Sequence, residues 1–466
     1  KPGLARARPG ARGFPEDAAR GPGGRLLFRG RRFPSSLIPA AAPLMGISSG
    51  PDRWAWLRSF PNTAVGISLG LGGQAILWKA LCAWPLLDGA AGFVEAVQWA
   101  FWVACAAALA LFAGIYAAKC VRHREVMWAE YYHPVRANFF CGPCISLCFI
   151  ALALPPSLDG LAFQQAAWTL AFFYQSLAAL VIYRRWLYDT STSDLAAAPY
   201  LMSVVPWFLL SALSSLAEID VAAGLPLAAM CFGVGALFTT FLYPFVLLGI
   251  HCGRTVAGSP PLFLMLASPS AAGMALIPLI GGISAASEAL FGMVLFLFCL
   301  LLCNKPSLMA RPAVLGVYWA YVFPASALAA LAVLIATDRQ TLLADVIAVA
   351  LAAFAVVTVA GVFVRMSAHQ YLVCMGKDVW SDPVVLALDK RGIGATDAAT
   401  EFCLQRVRSA VKSSSSGCGE DSVEPGTPPV PPAAPSELEQ RLCALEAELA
   451  AQRDGVSRDG KVVAEP

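Results

Sequence analysis

The chain has 466 residues, of which 58% are hydrophobic and only 14% are charged. Soluble domains carry about 25% charged residues, so the composition excludes an ordinary soluble protein and indicates a polytopic, all-α membrane protein. The net charge of +3 says little about partners, because the charges are concentrated at the two ends and in short loops. We expect no nucleic-acid partner. Most of the fourteen cysteines lie inside apolar runs, where cysteine behaves as a small hydrophobic residue.

Residues 1–53 are rich in Arg, Gly and Pro, and we interpret them as a disordered N-terminal tail. Two functions are open for this tail: it is a regulatory cytosolic segment, or it is a transit peptide that directs the chain to an organelle. The membrane domain is predicted over residues 54–375.

Ten apolar segments follow the tail, and each is long enough to cross a hydrocarbon core that requires about 20 residues. They cover approximately residues 61–83, 97–118, 137–156, 163–183, 199–217, 223–250, 261–283, 286–303, 313–336 and 342–364. Only Lys79, Glu288 and Asp345 are charged within them. All three lie near a segment end, where a charged group can reach the interface of the lipid bilayer. None is expected to relay protons.

The connectors alternate in charge along the chain. The connectors after segments two, four, six and eight carry the basic residues Lys119, Arg122, Arg124, Arg136, Arg184, Arg185, Arg254, Lys305 and Arg311. The connectors after the odd segments carry one basic residue and the acidic residues Asp88, Glu95, Asp159, Glu218, Asp220 and Asp338. Basic loops are typical of the cytosolic side, so the even-numbered connectors and both termini are predicted to be cytosolic. We expect the plasma membrane; a chloroplast envelope or vacuolar membrane is the alternative.

Prolines distinguish the odd segments from most of the even ones. They stand at the start of segment one and inside segments three, five, seven and nine, as Pro61, Pro143, Pro206, Pro269 and Pro324. Prolines in membrane helices are tolerated where neighbouring helices or a cavity satisfy the freed carbonyl. The pattern predicts five helical hairpins around a central pore, with an inner ring of proline-kinked odd helices. The alternative is that prolines are simply more frequent in membrane helices than in soluble ones.

After the last segment the chain becomes polar, and residues 376–466 are predicted to form a cytosolic tail. Residues 412–435 are rich in Ser and Pro and are typical of a linker. In residues 436–453, leucines alternate by four and three, which predicts a short coiled coil. An isolated amphipathic helix would give the same pattern over so short a length.

Four motifs in the membrane region point to a known family. The stretch 130–140, EYYHPVRANFF, resembles the cytosolic entry of the third helix in plant slow-type anion channels, relatives of the bacterial tellurite-resistance/dicarboxylate transporters. Phe60-Pro61 together with residues 66–78 is similar to the first helix of that family, residues 267–272 to the seventh, and residues 319–324 to the ninth. The similarity covers about residues 54–375 and leaves out both tails.

The resemblance implies ten helices in five hairpins, a pore lined by the odd helices, and a homotrimer in which each subunit has its own pore. It also implies a pore gate of phenylalanine, which by motif position is Phe323 with Phe149. Two ordinary buried aromatic residues are the alternative. The implied function is a channel for small monovalent anions such as chloride and nitrate, and not an enzyme. A proton-coupled dicarboxylate (malate) or sulfite transporter of the same fold, and a non-conducting scaffold, are the other hypotheses.

The residue types in the odd segments suit an anion pathway. Cation pores usually carry rings of Asp or Glu, which these segments lack. Broken helices can also direct the positive ends of their dipoles at a pore. His133 and Arg136 are candidates for a cytosolic vestibule that raises the local anion concentration. The alternative for both is anchoring at the interface, with a bond to Glu130 or to a loop carbonyl.

No cofactor or metal site is expected. The four histidines lack ligand spacing, and Cys141-Gly142-Pro143-Cys144 lies in an apolar span rather than in the soluble fold that a thioredoxin-like redox motif requires. Serines flank the membrane domain, so a protein kinase that phosphorylates the tails is a possible partner; solvated linker serines are the alternative.

Overall fold

The computed structural model describes residues 54–133, 135–158, 160–188, 197–251, 260–303 and 318–374. Within these ranges every regular element is a helix, which confirms the predicted all-α membrane protein. Nine of the described helices are long and apolar enough to cross a membrane, and a bent pair of helices gives a tenth span. The predicted N-terminal tail, the linker and the coiled coil lie outside the described residues.

We number the α-helices of the ten spans in chain order. Their bounds are α1 Gly66–Cys82, α2 Ala91–Arg122, α3 Gly142–Leu152, α4 Leu161–Tyr188, α5 Val205–Leu216, α6 Leu227–His251, α7 Leu264–Ile280, α8 Ala285–Cys303, α9 Trp319–Arg339 and α10 Leu342–Cys374. Three shorter α-helices lie between them, at Ala55–Arg58, Arg124–Tyr132 and Ile219–Ala223.

Four of the odd spans begin with a short 3₁₀-helix that runs directly into, or nearly into, the α-helix. These 3₁₀-helices are Asn62–Val65, Arg136–Cys141, Ala198–Ser203 and Pro260–Phe263. The proline of the third span shows the reason for this construction. Pro143 has no N–H for the carbonyl of Phe139, but in 3₁₀ geometry that carbonyl already accepts the N–H of Gly142. The missing donor therefore leaves no carbonyl without a partner.

The prolines are placed differently in different spans. Pro269 and Pro324 lie inside α7 and α9, as expected for interior kinks. Pro143 and Pro206 instead occupy the first turn of α3 and α5, and Pro61 precedes the first 3₁₀-helix. The first turn of an α-helix tolerates proline because its N–H groups have no intrahelical acceptor.

The odd helices are interior and the even helices peripheral. In the most apolar window of each span, between 72% and 89% of the residues are buried in spans one, five, seven and nine, against 17% to 39% in all five even spans. Each odd helix contacts the even helix that follows it. The odd helices also contact one another in the order α1, α3, α5, α7, α9 and back to α1, which closes a ring.

Several charged residues lie in elements that the sequence pattern did not predict, Glu95 and Glu130 among them. Glu95, which we expected in a connector, belongs to α2, because that helix starts six residues before the predicted apolar segment. Glu130, expected at the entry of the third span, lies in the separate helix Arg124–Tyr132 and is fully buried. A buried carboxylate requires charged or hydrogen-bonding partners, and these are described with the candidate site.

The C-terminal end of α3 lies among other helices rather than in water, since Ala151 and Ala153 are fully buried. The last carbonyls of a helix have no partner within it, and inside a membrane they must find one. Side chains from three helices supply the donors. They are Trp102 to Ile150 (2.9 Å), Gln164 to Ala151 (3.0 Å), Lys79 to Leu152 (2.7 Å) and Gln98 to Ala153 (3.0 Å). We call these four donors the α3 cap.

Removal of one donor of the α3 cap is expected to destabilise the protein. Trp102→Phe keeps the aromatic ring but loses the bond to Ile150, and we expect it to lower the free energy of unfolding by about 1 kcal/mol. Trp99→Phe is the matched control, because Trp99 packs on Trp102 but donates no hydrogen bond within the described residues. Equal thermal unfolding curves for the two purified variants in detergent would contradict the prediction.

Candidate functional site

A cavity of about 40 Å³ lies where the N-terminal ends of the odd spans converge. Every odd span contributes to its wall. The lining residues are Thr63, Gly66, Leu69, Phe139, Met202, Pro261, Leu264, Trp319, Ala320 and Phe323. No charged side chain is among them, and the space suffices for a few water molecules. The cavity is thus a small apolar chamber at the positive ends of several helix dipoles.

Phe323 and Phe149 meet inside the ring. Phe323 lines the cavity and belongs to α9, while Phe149 lies on α3. Their ring centroids are 5.3 Å apart at an interplanar angle of 54°, and their exposed fractions are only 2% and 1%. The sequence predicted these two residues as a gate, and the structure brings them into contact at one end of the cavity. The contact is an attractive aromatic pair with no charged or polar side chain in it.

Glycines of α1 leave space for aromatic side chains of α3 and α9. A Cβ atom on Gly70 would lie 2.3 Å from the indole ring of Trp319, and one on Gly72 would lie 2.8 Å from Phe149. Both distances are far below van der Waals contact. The absence of a side chain on α1 therefore allows α3 and α9 to bring their aromatic residues against it.

A buried ion cluster lies beside the entrance of spans one and three. The carboxylate of Glu130 accepts hydrogen bonds from Lys119 (3.1 Å) and Arg136 (3.0 Å), which are also its ion-pair partners. Tyr116 donates its hydroxyl at 2.8 Å, and the backbone N–H of Asn62 donates at 3.2 Å. The cluster joins α2, the helix Arg124–Tyr132 and the two 3₁₀-helices that start spans one and three.

The proposed vestibule residues do not line the cavity. Arg136 is 9% exposed and donates to Glu130, which agrees with the alternative given for it, a bond to Glu130. His133 accepts the N–H groups of Val135 and Arg136 at its Nδ1 atom, so it caps the 3₁₀-helix that starts the third span. A role for either residue in attracting anions stays a prediction.

Sequence reasoning missed several residues of this region. Tyr116, Lys119 and Asn62 were not predicted to act together, because they are far apart in sequence and only the fold brings them to Glu130. The available signals were two charged residues near apolar segments, Lys119 directly after segment two and Glu130 before segment three. Among the described residues, no group of three or more His, Cys, Asp or Glu is placed to hold a metal ion.

The fold and the cavity together define a multi-pass helical membrane protein, built as a ring of five helices around an apolar chamber and enclosed by five further helices. Within that class, residues 59–367 match the family model described as a voltage-dependent anion channel. The match covers most of the chain, and the chain belongs to this family.

Three plant proteins illustrate the similarity. The S-type anion channel SLAH3 of Arabidopsis thaliana is 28% identical over 349 residues, which are 73% of this chain and 52% of the relative. For SLAH2 of the same plant the identity is 26% over 72% of this chain and 63% of the relative. For the guard cell S-type anion channel SLAC1 it is 28% over 59% of this chain and 49% of the relative.

The chain spans between 49% and 63% of the length of these curated relatives. The family match includes the ring, the cavity, the aromatic pair and the ion cluster. The relatives are named as S-type anion channels.

The close approach of α1 to α3 yields a test. Gly72→Ala places a methyl group 2.8 Å from Phe149 and 3.1 Å from the Sγ atom of Cys105, and we expect a loss of about 1–3 kcal/mol in stability from overpacking. Gly114→Ala is the matched control, since the added methyl group meets nothing within 4 Å. Size-exclusion chromatography after heating measures both, and a Gly72→Ala variant as heat-resistant as the control would refute the expectation.

The ion cluster yields a second test. Glu130→Gln removes the charge that two buried basic residues share, and we expect destabilisation by about 3–5 kcal/mol. Glu125→Gln is the control, because Glu125 is exposed and lies 3.6 Å from His123 in a weak pair; its loss is expected to change stability by less than about 0.5 kcal/mol. Thermal denaturation of both variants in the same detergent tests this expectation. Similar melting midpoints would show that the cluster contributes little to stability.

Proposed function

We propose that this protein is an anion channel that conducts small monovalent anions, such as chloride and nitrate, through the centre of its own helix ring. One observation carries the proposal: all five odd spans converge on an apolar chamber that ends at the contact between Phe323 and Phe149. The family membership and the names of the relatives support the same function.

The electrostatics of the chamber favour anions over cations. The helices α1, α3, α5, α7 and α9 and the 3₁₀-helices that precede them contain, in their described residues, one carboxylate, Asp338, which lies in the last turn of α9 and away from the chamber. The chamber instead receives the N-terminal ends of the odd spans, where backbone N–H groups and helix dipoles give a positive potential. Weak, uncharged walls of this kind suit rapid passage better than tight binding.

Phe323 is the proposed gate, with Phe149 as its partner. A pair of aromatic rings blocks an ion without binding it, because the rings offer no charged or polar group to replace the water that the ion would lose. Rotation of the Phe323 side chain away from Phe149 would open the chamber towards the C-terminal ends of α1 and α3. On α1, Gly72 leaves space for Phe149, and Gly73 approaches the backbone of Phe323.

The alternative, proton-coupled transport of malate or sulfite, finds less support in the structure. Coupling to protons requires a protonatable group on the pathway. Glu130 is the buried carboxylate beside the entrance, and it is engaged by Lys119, Arg136, Tyr116 and the backbone of Asn62. Glu130 is not among the residues that line the chamber, and its partners tie it to α2 and to the starts of spans one and three.

The proposal extends to the oligomeric state, the location and the regulation of the channel. We infer a homotrimer with one pore in each subunit, a plasma-membrane location and cytosolic termini. The resemblance and the distribution of basic connectors support these points. Regulation by a protein kinase is proposed for the tails, where most of the flanking serines lie outside the described residues.

The test is the current carried by Phe323→Ala in voltage-clamped oocytes. Removal of the ring is expected to raise the anion current at a fixed voltage by at least about tenfold, because a buried blocking side chain is replaced by open space. Reversal potentials in chloride, nitrate and malate baths rank the anions.

Phe298→Ala is the matched control, since Phe298 is also buried, with 6% of its surface exposed, but lies on the peripheral helix α8. It should not raise the current. If neither the wild-type protein nor Phe323→Ala conducts although both reach the surface, and vesicles accumulate malate under a proton gradient, the channel proposal is wrong and the transporter takes its place.

A further inference from the structure

The end of the ring at which the odd helices terminate is electrostatically unfavourable for anions. The odd helices present positive dipole ends to the chamber, so their C-terminal ends lie on the opposite side of the aromatic pair. Helix C-termini carry partial negative charge and unpaired carbonyl oxygens, and both repel anions. An anion that passes through the ring must cross this region.

Partly exposed residues lie in the C-terminal halves of α1, α3 and α7. Ile76 and Met274 each pack against both of the large core clusters, one of which contains α3 and α5 and the other the C-terminal half of α9. Leu152 and Lys79 are also partly exposed. We call these four residues the C-terminal mouth.

Lys79 lies on the side of α1 that faces α3. It follows Gly72 by seven residues, which is close to two full turns, and Gly72 abuts Phe149. The ammonium group donates to the carbonyl of Leu152 at 2.7 Å, one turn beyond Phe149 on α3. The charge therefore lies about 5 Å along the helix axis past the aromatic pair.

Lys79 differs from the other basic residues of the odd spans. Within their described residues there are two others, Arg136 and Arg339. Arg136 pairs with Glu130, and Arg339 lies 2.7 Å from Glu288. Lys79 has an uncharged carbonyl oxygen as its partner and forms no ion pair within the part of the chain that the structure describes. Glu95 of α2 and Lys79 both interact electrostatically with Cys82, so an acidic group lies near Lys79 without forming an ion pair with it.

We propose that Lys79 is the anion-recruiting residue of the C-terminal mouth. The inference rests on the proposed channel function and adds a specificity-determining residue to it. One ammonium N–H binds Leu152, and the remaining donors can contact an anion on its way to or from the aromatic pair. The ligand class is a small hydrated anion.

The experiment separates the charge of Lys79 from its hydrogen bond. Lys79→Gln keeps a donor for Leu152 but has no charge, and Lys79→Arg keeps both. Gln164→Leu is the matched control, since it removes a different donor of the α3 cap without a change in charge. All are placed in the Phe323→Ala chain, and anion entry from the C-terminal side is measured as current at low and high bath chloride, normalised to surface protein.

We expect Lys79→Gln to reduce the current about threefold at 10 mM chloride, the Boltzmann factor for one charge roughly 7 Å from the ion at a water-like dielectric constant. The reduction should largely disappear at 1 M, because the Debye length falls from about 30 Å to about 3 Å. Lys79→Arg should behave like the parent. Gln164→Leu should keep the parent's dependence on chloride concentration.

Two results would overturn the inference in distinguishable ways. Equal currents for Lys79→Gln and Lys79→Arg at every chloride concentration would show that the charge has no role, while the channel itself stands. No anion current in any chain, the Phe323→Ala parent included, with surface expression confirmed, would remove the proposed function and this inference with it.

Discussion

The constraint on which the structure depends is that backbone polar groups inside a membrane must find partners within the protein. The prolines of the odd spans lack a backbone donor, and at Pro143 and Pro269 the fold supplies another one. A 3₁₀-helix satisfies the carbonyl before Pro143. For Pro269, whose missing N–H would have bonded to Met265, the hydroxyl of Tyr243 on α6 supplies the donor.

The same constraint explains the polar side chains of the interior. Gln98, Trp102 and Gln164 lie within the apolar stretches of α2 and α4, and each donates to a carbonyl at the end of α3. These residues carry no chemistry of their own. They allow an eleven-residue helix to end inside the protein, and this ending positions Phe149 in the middle of the ring. The position of the aromatic contact therefore depends on the hydrogen bonds to the α3 backbone as well as on side-chain packing.

The sequence predicted the helical class and the number of spans, because hydropathy and connector charge are local in the chain. The family motifs also singled out Phe149 and Phe323, whose role as a gate stays a prediction. The sequence did not predict that Glu130 is buried with Lys119, since that contact requires α2 to lie against a separate short helix. The prolines at 143 and 206 were placed in the correct spans, but their position in the first turn depends on a 3₁₀-helix that hydropathy does not reveal.

The closure of the ring has a consequence for biosynthesis. Gln74 of α1 donates to Ser326 of α9, a residue synthesised 252 positions later. The first span thus enters the membrane long before the helix that completes its surroundings has been made. Until then its buried glutamine and its bare glycine surface face lipid or temporary neighbours, and such a long-range contact forms slowly. The last hairpin therefore acts as the closing step of assembly, and a ribosome that stalls before it leaves an open crescent of helices rather than a smaller ring.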